Sequence, residues 1–432
     1  MHVTSQDLIS KRIKELRHQR GLSQAELAHP ELSDSYISLI ESGSRTPTPA
    51  VLELLATKLG CSVSYLINGV TAEELEELEL SLRYARMALE NGETREARRR
   101  YSELLADPNV SRVAGFQQEV EYGLALSTEA CGDLDEAIPI LVRLRQKYAD
   151  TLTDERRIAS AVALSRCYRE RGETAAAIEV AEQEISRTIK DGWTDHLIEL
   201  GSTLLSSYYG RGDLLRARQY ASELLSAAEA LGTPRAIVAA NWNAAIAADI
   251  AGQGDEALPL AERAWAVQSE IGEPRNLARL RMEYAHIRLR NRPDEAEECR
   301  EQLLRAEREL RESSASTIDL AGCLYILGKA EINLGNIEQA VEYALKSIEL
   351  NKEISPELRA ETQVLLGQAY LMLGRLDEAA TEIKAAMEVL VKEQPTRMTA
   401  EIWLTVAAVL DGIGDQEGSA FAYQRAMECG GL

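Results

Sequence analysis

The chain has 432 residues, 45% of them hydrophobic but only 5% aromatic, and a formal net charge of −22. That length accommodates two or more domains or one extended array, and a core built mainly from Leu and Ala favours closely packed helices. The most apolar stretch, "AIVAANWNAAIAADIAG", is broken by Asn241, Asn243 and Asp249, which excludes a membrane span there. The N-terminus lacks the apolar core of a secretion signal. The six cysteines are scattered without a C-x-x-C pair, as buried thiols of a reducing cytoplasm would be, and the five histidines show no metal-ligand spacing. No phosphate-binding loop is present, and "GIGDQEG" reads as a turn between helices. The composition therefore points away from an enzyme, a cofactor or a metal, and towards a cytoplasmic binding protein.

Charge is unevenly distributed. Residues 1–70 contain seven Lys or Arg and seven Asp or Glu, so the entire deficit of 22 lies beyond them. An acidic chain repels nucleic acid, but this first segment is neutral.

The predicted elements of residues 1–70 are five short helices. Ile9, Ile13 and Leu16 space one apolar face, and Gly21 ends that helix. Ser23 and Glu26 form a capping box for the second helix, and Pro30 stops it early. Ser33 caps a third helix running to about Glu41, with Ile37 and Ile40 facing inward and Gly43 closing it. Thr48 and Pro49 open a fourth, and "SVSYLI" supplies a fifth.

The run "KRIKELRHQRGLSQAELA…SDSYISLIESGSRTP…VLELLATKLGCSVSYL" resembles the helix-turn-helix domain of the Cro/repressor-type (XRE) regulators over about sixty residues. The turn between Ala28 and Ser33 is one residue shorter than the commonest family pattern. The resemblance implies binding to double-stranded DNA, with the second helix of the motif in the major groove. Carried over position by position, it implies that Gln24 contacts phosphate or a base edge. It makes Ser33, Asp34, Ser35, Tyr36 and Ser38 the groove-facing side, and Arg45 and Thr46 phosphate contacts. Two readings of Asp34 stay open: acceptor for a cytosine amine, or complement to the helix dipole, worth about 0.3–1 kcal/mol. Tyr36 either stacks at the DNA or packs at the domain edge.

From residue 71 the capping pattern of Thr71 and Glu74 begins an acidic helix, and then a motif recurs. A glycine is followed five positions on by alanine: "GETREA" from Gly92, "GDLDEA" from Gly132, "GETAAA" from Gly172, "GDLLRA" from Gly212 and "GQGDEA" from Gly252. It continues as "NRPDEA" from Asn291, "GNIEQA" from Gly335 and "GRLDEA" from Gly374, with a weaker "GDQEGS" from Gly414. The intervals run from 39 to 44 residues, the mark of a solenoid of antiparallel helix pairs. Seven positions before each turn residue come Ala85, Ala125, Ser165, Leu205, Ala245, Tyr284, Gly328, Gly367 and Ala407, mostly small, as a close helix crossing requires.

These features are similar to tetratricopeptide repeats, although HEAT-like repeats share the longer period. The expected fold is all-α: a five-helix helix-turn-helix domain at 1–70, then a right-handed tetratricopeptide-like α-solenoid of about nine helix pairs at 71–432. Such a superhelix lines its concave face with the first helix of each pair. Counting back six and ten positions from the turns nominates Arg86, Tyr122, Arg166, Trp242, Arg281, Tyr325 and Lys329 as ligand-binding residues, with Asn243 beside them. Cations and amides next to aromatics suit an extended peptide.

A repressor-type head followed by such an array resembles the peptide-responsive RRNPP regulators. That resemblance implies a homodimer whose array binds a short signalling peptide, with the last repeat, from Gly414 to Leu432, as candidate dimer contact. The alternatives are a protein partner on the repeats, or a scaffold whose head no longer binds DNA.

Overall fold

Four of the helix starts in the head are set by a side chain, Ser23, Ser33, Thr48 or Ser62, that satisfies a backbone N–H left over at the first turn. A computed structural model of the chain describes residues 5–272, 274–313, 317–352, 355–392, 395 and 397–430. Among these, the head consists of α1 (Ser5–Gln19), α2 (Gln24–Ala28), α3 (Asp34–Glu41), α4 (Pro49–Leu59) and α5 (Val63–Asn68). Ser23 and Glu26 make the full capping box, Ser33 caps α3 through the Tyr36 N–H, and Thr48 caps α4 ahead of Pro49. Ile13, Leu27, Ile37, Ile40, Leu55, Leu59 and Leu66 are fully buried together.

One ionic cluster lies under this core. Arg17 grips Glu41 with both forks of its guanidinium, at 2.6 and 2.9 Å, and its Nη1 donates to the Leu22 carbonyl at 2.8 Å. Both side chains are almost wholly buried, and Gln24 adds a third donor to Glu41 at 2.8 Å.

Among the described residues, eighteen further helices form nine antiparallel pairs. They are α6 (Ala72–Glu90) with α7 (Thr94–Ala106), α8 (Phe116–Ala130) with α9 (Leu134–Lys147), and α10 (Asp154–Glu170) with α11 (Thr174–Thr188). Next come α12 (Asp195–Gly210) with α13 (Leu214–Leu231), α14 (Pro234–Ile250) with α15 (Gly254–Ile271), and α16 (Pro274–Asn291) with α17 (Ala296–Glu312). The last are α18 (Thr317–Leu334) with α19 (Ile337–Leu350), α20 (Pro356–Met372) with α21 (Leu376–Leu390), and α22 (Arg397–Ile413) with α23 (Gln416–Gly430). The fold is all-α, as the repeat predicts. The chain divides into two compact units, Met1–Asp150 with the head and two pairs, and Thr151–Leu432 with seven pairs. No helix among the described residues is long and apolar enough to cross a membrane.

The turn glycines of eight pairs adopt φ between 73° and 87°, a left-handed conformation that costs other residues about 1–2 kcal/mol. Seven positions earlier, the small side chains sit at the helix crossing. A Cβ added to Gly367 would lie 2.8 Å from Ile383 Cγ1 and 3.4 Å from the Ala379 carbonyl. Gly328 meets Leu365 and Ala340 in the same way.

The pair without a turn glycine departs from the pattern. Between α16 and α17 the chain passes through Arg292 into a single 3-10 turn, Pro293–Glu295. From buried Ala285 to buried Ala296 is eleven positions, where Ala245 to Ala257 takes twelve. Counting back from Asn291 is therefore one residue out on α16. Ala285, not Tyr284, is the close-packed residue, and Met282 and His286 replace Arg281 and Ala285 as the inner positions.

Gly367→Val should crowd the α20–α21 crossing and cost about 1–3 kcal/mol. A lowered urea midpoint by circular dichroism checks this, and an unchanged midpoint contradicts the crossing argument.

Candidate functional site

Helix α3 presents a polar, solvent-facing surface. Ser33, Asp34, Ser35 and Ser38 are exposed, while Tyr36 is half-buried with the Arg45 guanidinium 4.9 Å from its ring centre. Arg45 and Thr46 are exposed just beyond the helix. Ser33 Oγ is engaged by the Tyr36 N–H and by Ser35 Oγ at 3.1 Å, so its role at the surface is largely that of a cap. Asp34 makes no ion pair or side-chain hydrogen bond among the described residues, and it stands in the first turn where the dipole favours an acid. Gln24 gives one amide hydrogen to Glu41 and keeps a second. The Glu26 carboxylate, held by the Ser23 N–H and hydroxyl at 2.7 Å each, occupies the N-terminus of α2. These bonds hold it below its ordinary pKa.

Within the second unit, first helices of consecutive pairs line two cavities. The larger, about 830 Å³, has a wall of Trp242, Ile246, Ile271 and Met282. Arg279 closes part of its edge in a bidentate pair with Asp319, at 2.9 and 2.7 Å. Gln268, 5% exposed, lines it from α15, and its buried Nε2 has no hydrogen-bond partner among the described residues.

The smaller cavity, about 180 Å³, is lined by His286, Arg290, Tyr325, Lys329, Glu361 and Glu401 among others. Arg290 is saturated: it pairs with Asp249 of α14 at 3.0 Å and Glu401 of α22 at 2.9 Å. Lys329 touches His286 Nε2 at 3.4 Å and makes no ion pair with a described carboxylate. Burial, with Arg290 nearby, pulls its pKa below the ordinary lysine value. Burial pushes the Glu361 carboxyl up against the opposing pull of His286, Lys329 and the Tyr325 hydroxyl, which is hydrogen-bonded to it.

The residues nominated from the sequence are not all brought together. Trp242, Tyr325 and Lys329 line these cavities. Asn243 is half-buried and joins α14 to α12, donating to the Ala239 carbonyl at 2.9 Å and accepting from Ser206 at 3.2 Å. Arg281 lines neither cavity. It is 3% exposed, bound to Glu309 at 3.0 Å and Gln302 at 2.8 Å, with Trp265 under its guanidinium. The one-residue shortening of the α16–α17 turn rotates it there. Arg166 is half-buried on α10. Arg86 and Tyr122 belong to the first unit, where Arg86 is exposed and pairs with Glu119 at 2.8 Å. The sequence reading missed His286 through the same register slip, and missed Gln268 because it counted only first helices.

A helix-turn-helix family profile matches residues 13–66, and a tetratricopeptide repeat profile matches residues 325–388. The immunity repressor protein of Bacillus phage phi105 is 30% identical over 140 residues, which span 32% of this chain and 88% of that repressor. This chain belongs to the XRE-type helix-turn-helix family. It is a DNA-binding regulator that also carries tetratricopeptide repeats. Its fold is shared by the Rap protein solved with Competence and Sporulation Factor, at TM-score 0.53 and 14% identity, covering 82% of this regulator and 98% of that chain. It is also shared by NprR solved with its cognate peptide NprX, at TM-score 0.51 and 17% identity, covering 72% and 88%.

Burial raises the Glu41 pKa, but hydrogen bonds from Arg17 and Gln24 outweigh it and hold the carboxylate below its ordinary 4.5. A depressed carboxylate contributes stability above its unfolded pKa and loses it as pH falls through the folded one. Glu41→Gln leaves Arg17 buried without a counter-charge, and should destabilise the head by about 3–5 kcal/mol at neutral pH. It should also flatten the acid loss of stability below pH 4.5. Urea titrations across pH check both effects.

Proposed function

We propose that this regulator recognises a specific double-stranded DNA site as a homodimer in the cytoplasm, under the control of a short signalling peptide bound to the first-helix face of its repeats. The observation that carries the ligand reading is the pair of neighbouring cavities on that face, one with an apolar wall and one lined by charged groups. Cavities with convergent polar groups are where ligands bind. The fold likeness to Rap and NprR, each solved with a factor or peptide, supports a peptide as the occupant. A ligand can shift the regulator between states only as far as its affinity for them differs.

On the DNA side, the exposed hydroxyls of α3 and Asp34 would read base edges, while Gln24, Arg45 and Thr46 would hold the backbone. For the dimer, the last helix pair leaves Leu404, Phe421 and Met427 between 40% and 53% exposed, an apolar surface suited to a second copy. Gly431 and Leu432 of that candidate contact lie outside the described residues.

Gel-shift titrations over a salt series test this reading. Arg45→Ala should weaken binding uniformly across sequences and lower the salt slope by about 1. Ser35→Ala should instead change sequence preference. Absence of a specific complex at every ionic strength would overturn the regulator reading. Asp34→Asn separates its two roles: a cytosine reader loses about 1–3 kcal/mol of discrimination at one base pair, whereas a dipole complement changes only helix stability.

A further inference from the structure

The two cavities share one wall, helix α16. Met282 and Glu283 face the larger cavity, and His286 and Arg290 face the smaller. Eight residues separate Met282 from Arg290, about 12 Å along a helix at 1.5 Å per residue. An extended peptide covers that span in about three to four residues at ~3.3 Å each.

Their chemistry differs. The larger cavity offers a Trp, two Ile and a Met as its apolar wall. It is complementary to a large apolar side chain, which that wall removes from water. In the smaller cavity, Arg290 is engaged by two carboxylates, Asp249 and Glu401, and beside it Lys329 and Glu361 face the space as one cation and one anion. Lys329 touches His286 and the Tyr325 hydroxyl is hydrogen-bonded to Glu361, which leaves each group with further hydrogen-bonding capacity towards the space.

A carboxylate placed there would meet Lys329 but lie against Glu361. An ammonium would meet Glu361 but lie against Lys329. A neutral amide answers both, because its carbonyl accepts from the ammonium and its NH₂ donates to the carboxylate. Partly desolvated groups make the discrimination steep, since either ion leaves a like charge uncompensated.

Resting on the peptide reading above, we propose a two-point recognition rule. The ligand places a large apolar side chain in the Trp242 cavity. An Asn or Gln side chain three or four residues away sits between Lys329 and Glu361.

Capped five-residue alanine peptides carrying Leu and Gln three or four positions apart, in both orders, test the rule. Glu and Lys analogues at the Gln position complete the panel, and binding to the full chain is followed by tryptophan fluorescence and calorimetry. Wild type should prefer Gln to Glu or Lys by at least about tenfold, the scale of one unmatched charge. Glu361→Gln should move the preference to Glu, and Lys329→Met should move it to Lys, with melting curves confirming that both variants fold. Peptides that bind without discrimination, or variants that leave the preference unmoved, overturn the rule and leave the peptide reading standing. Absence of binding by every member removes both.

Discussion

The repeat array depends on how closely the two helices of each pair can cross. A small side chain at most of the crossings lets the backbones approach, and a left-handed glycine seven residues later turns the chain back. Together they give α14, α18 and α20 the same rotational register, so that residues six and ten before the turn face the cavities. Gly367 shows that constraint, since a Cβ there would lie 2.8 Å from Ile383 Cγ1. Trp242, Ile246, Tyr325, Lys329, Val364 and Gln368 line cavities because this register holds across their pairs. Where the turn is built from Arg292 and Pro293 instead, the register moves by one residue and the lining changes with it.

Most of the fold was therefore legible from the sequence, because its determinants are local. The capping box of Ser23 and Glu26, the Thr48–Pro49 start and the period of turn glycines each specify an element through its own neighbours. The site was legible only where the period is strict. Arg281 was nominated by counting from Asn291, and nothing in the string "NRPDEA" states that its turn uses one residue fewer. His286 and Gln268 depend on that turn and on the second-helix layer, which no first-helix count reaches. Nor could the sequence state that Arg290 bridges Asp249 and Glu401, the latter 111 residues away, beside Lys329 and Glu361.

In the head, a buried ionic cluster does what small residues do in the array. Glu41 collects Arg17 and Gln24 and so ties α1 and α2 to α3. That ties the orientation of the proposed reading helix to a carboxylate at its own C-terminus. The net charge of −22 bears little on this end, since the head is itself neutral. Asp34 stands apart from the cluster at the exposed start of α3, with its carboxylate unengaged by described neighbours.

The central claim is that occupancy of the repeat cavities and affinity for DNA are linked. Linkage is reciprocal: a ligand that changes DNA affinity by some factor has its own affinity changed by the same factor when DNA is bound. The direct measurement is peptide affinity for the full chain with and without a saturating specific DNA site, paired with DNA affinity with and without saturating peptide. The account predicts equal factors of about fivefold or more in both directions. A peptide that binds tightly, yet with the same affinity whether or not DNA is present, would contradict it.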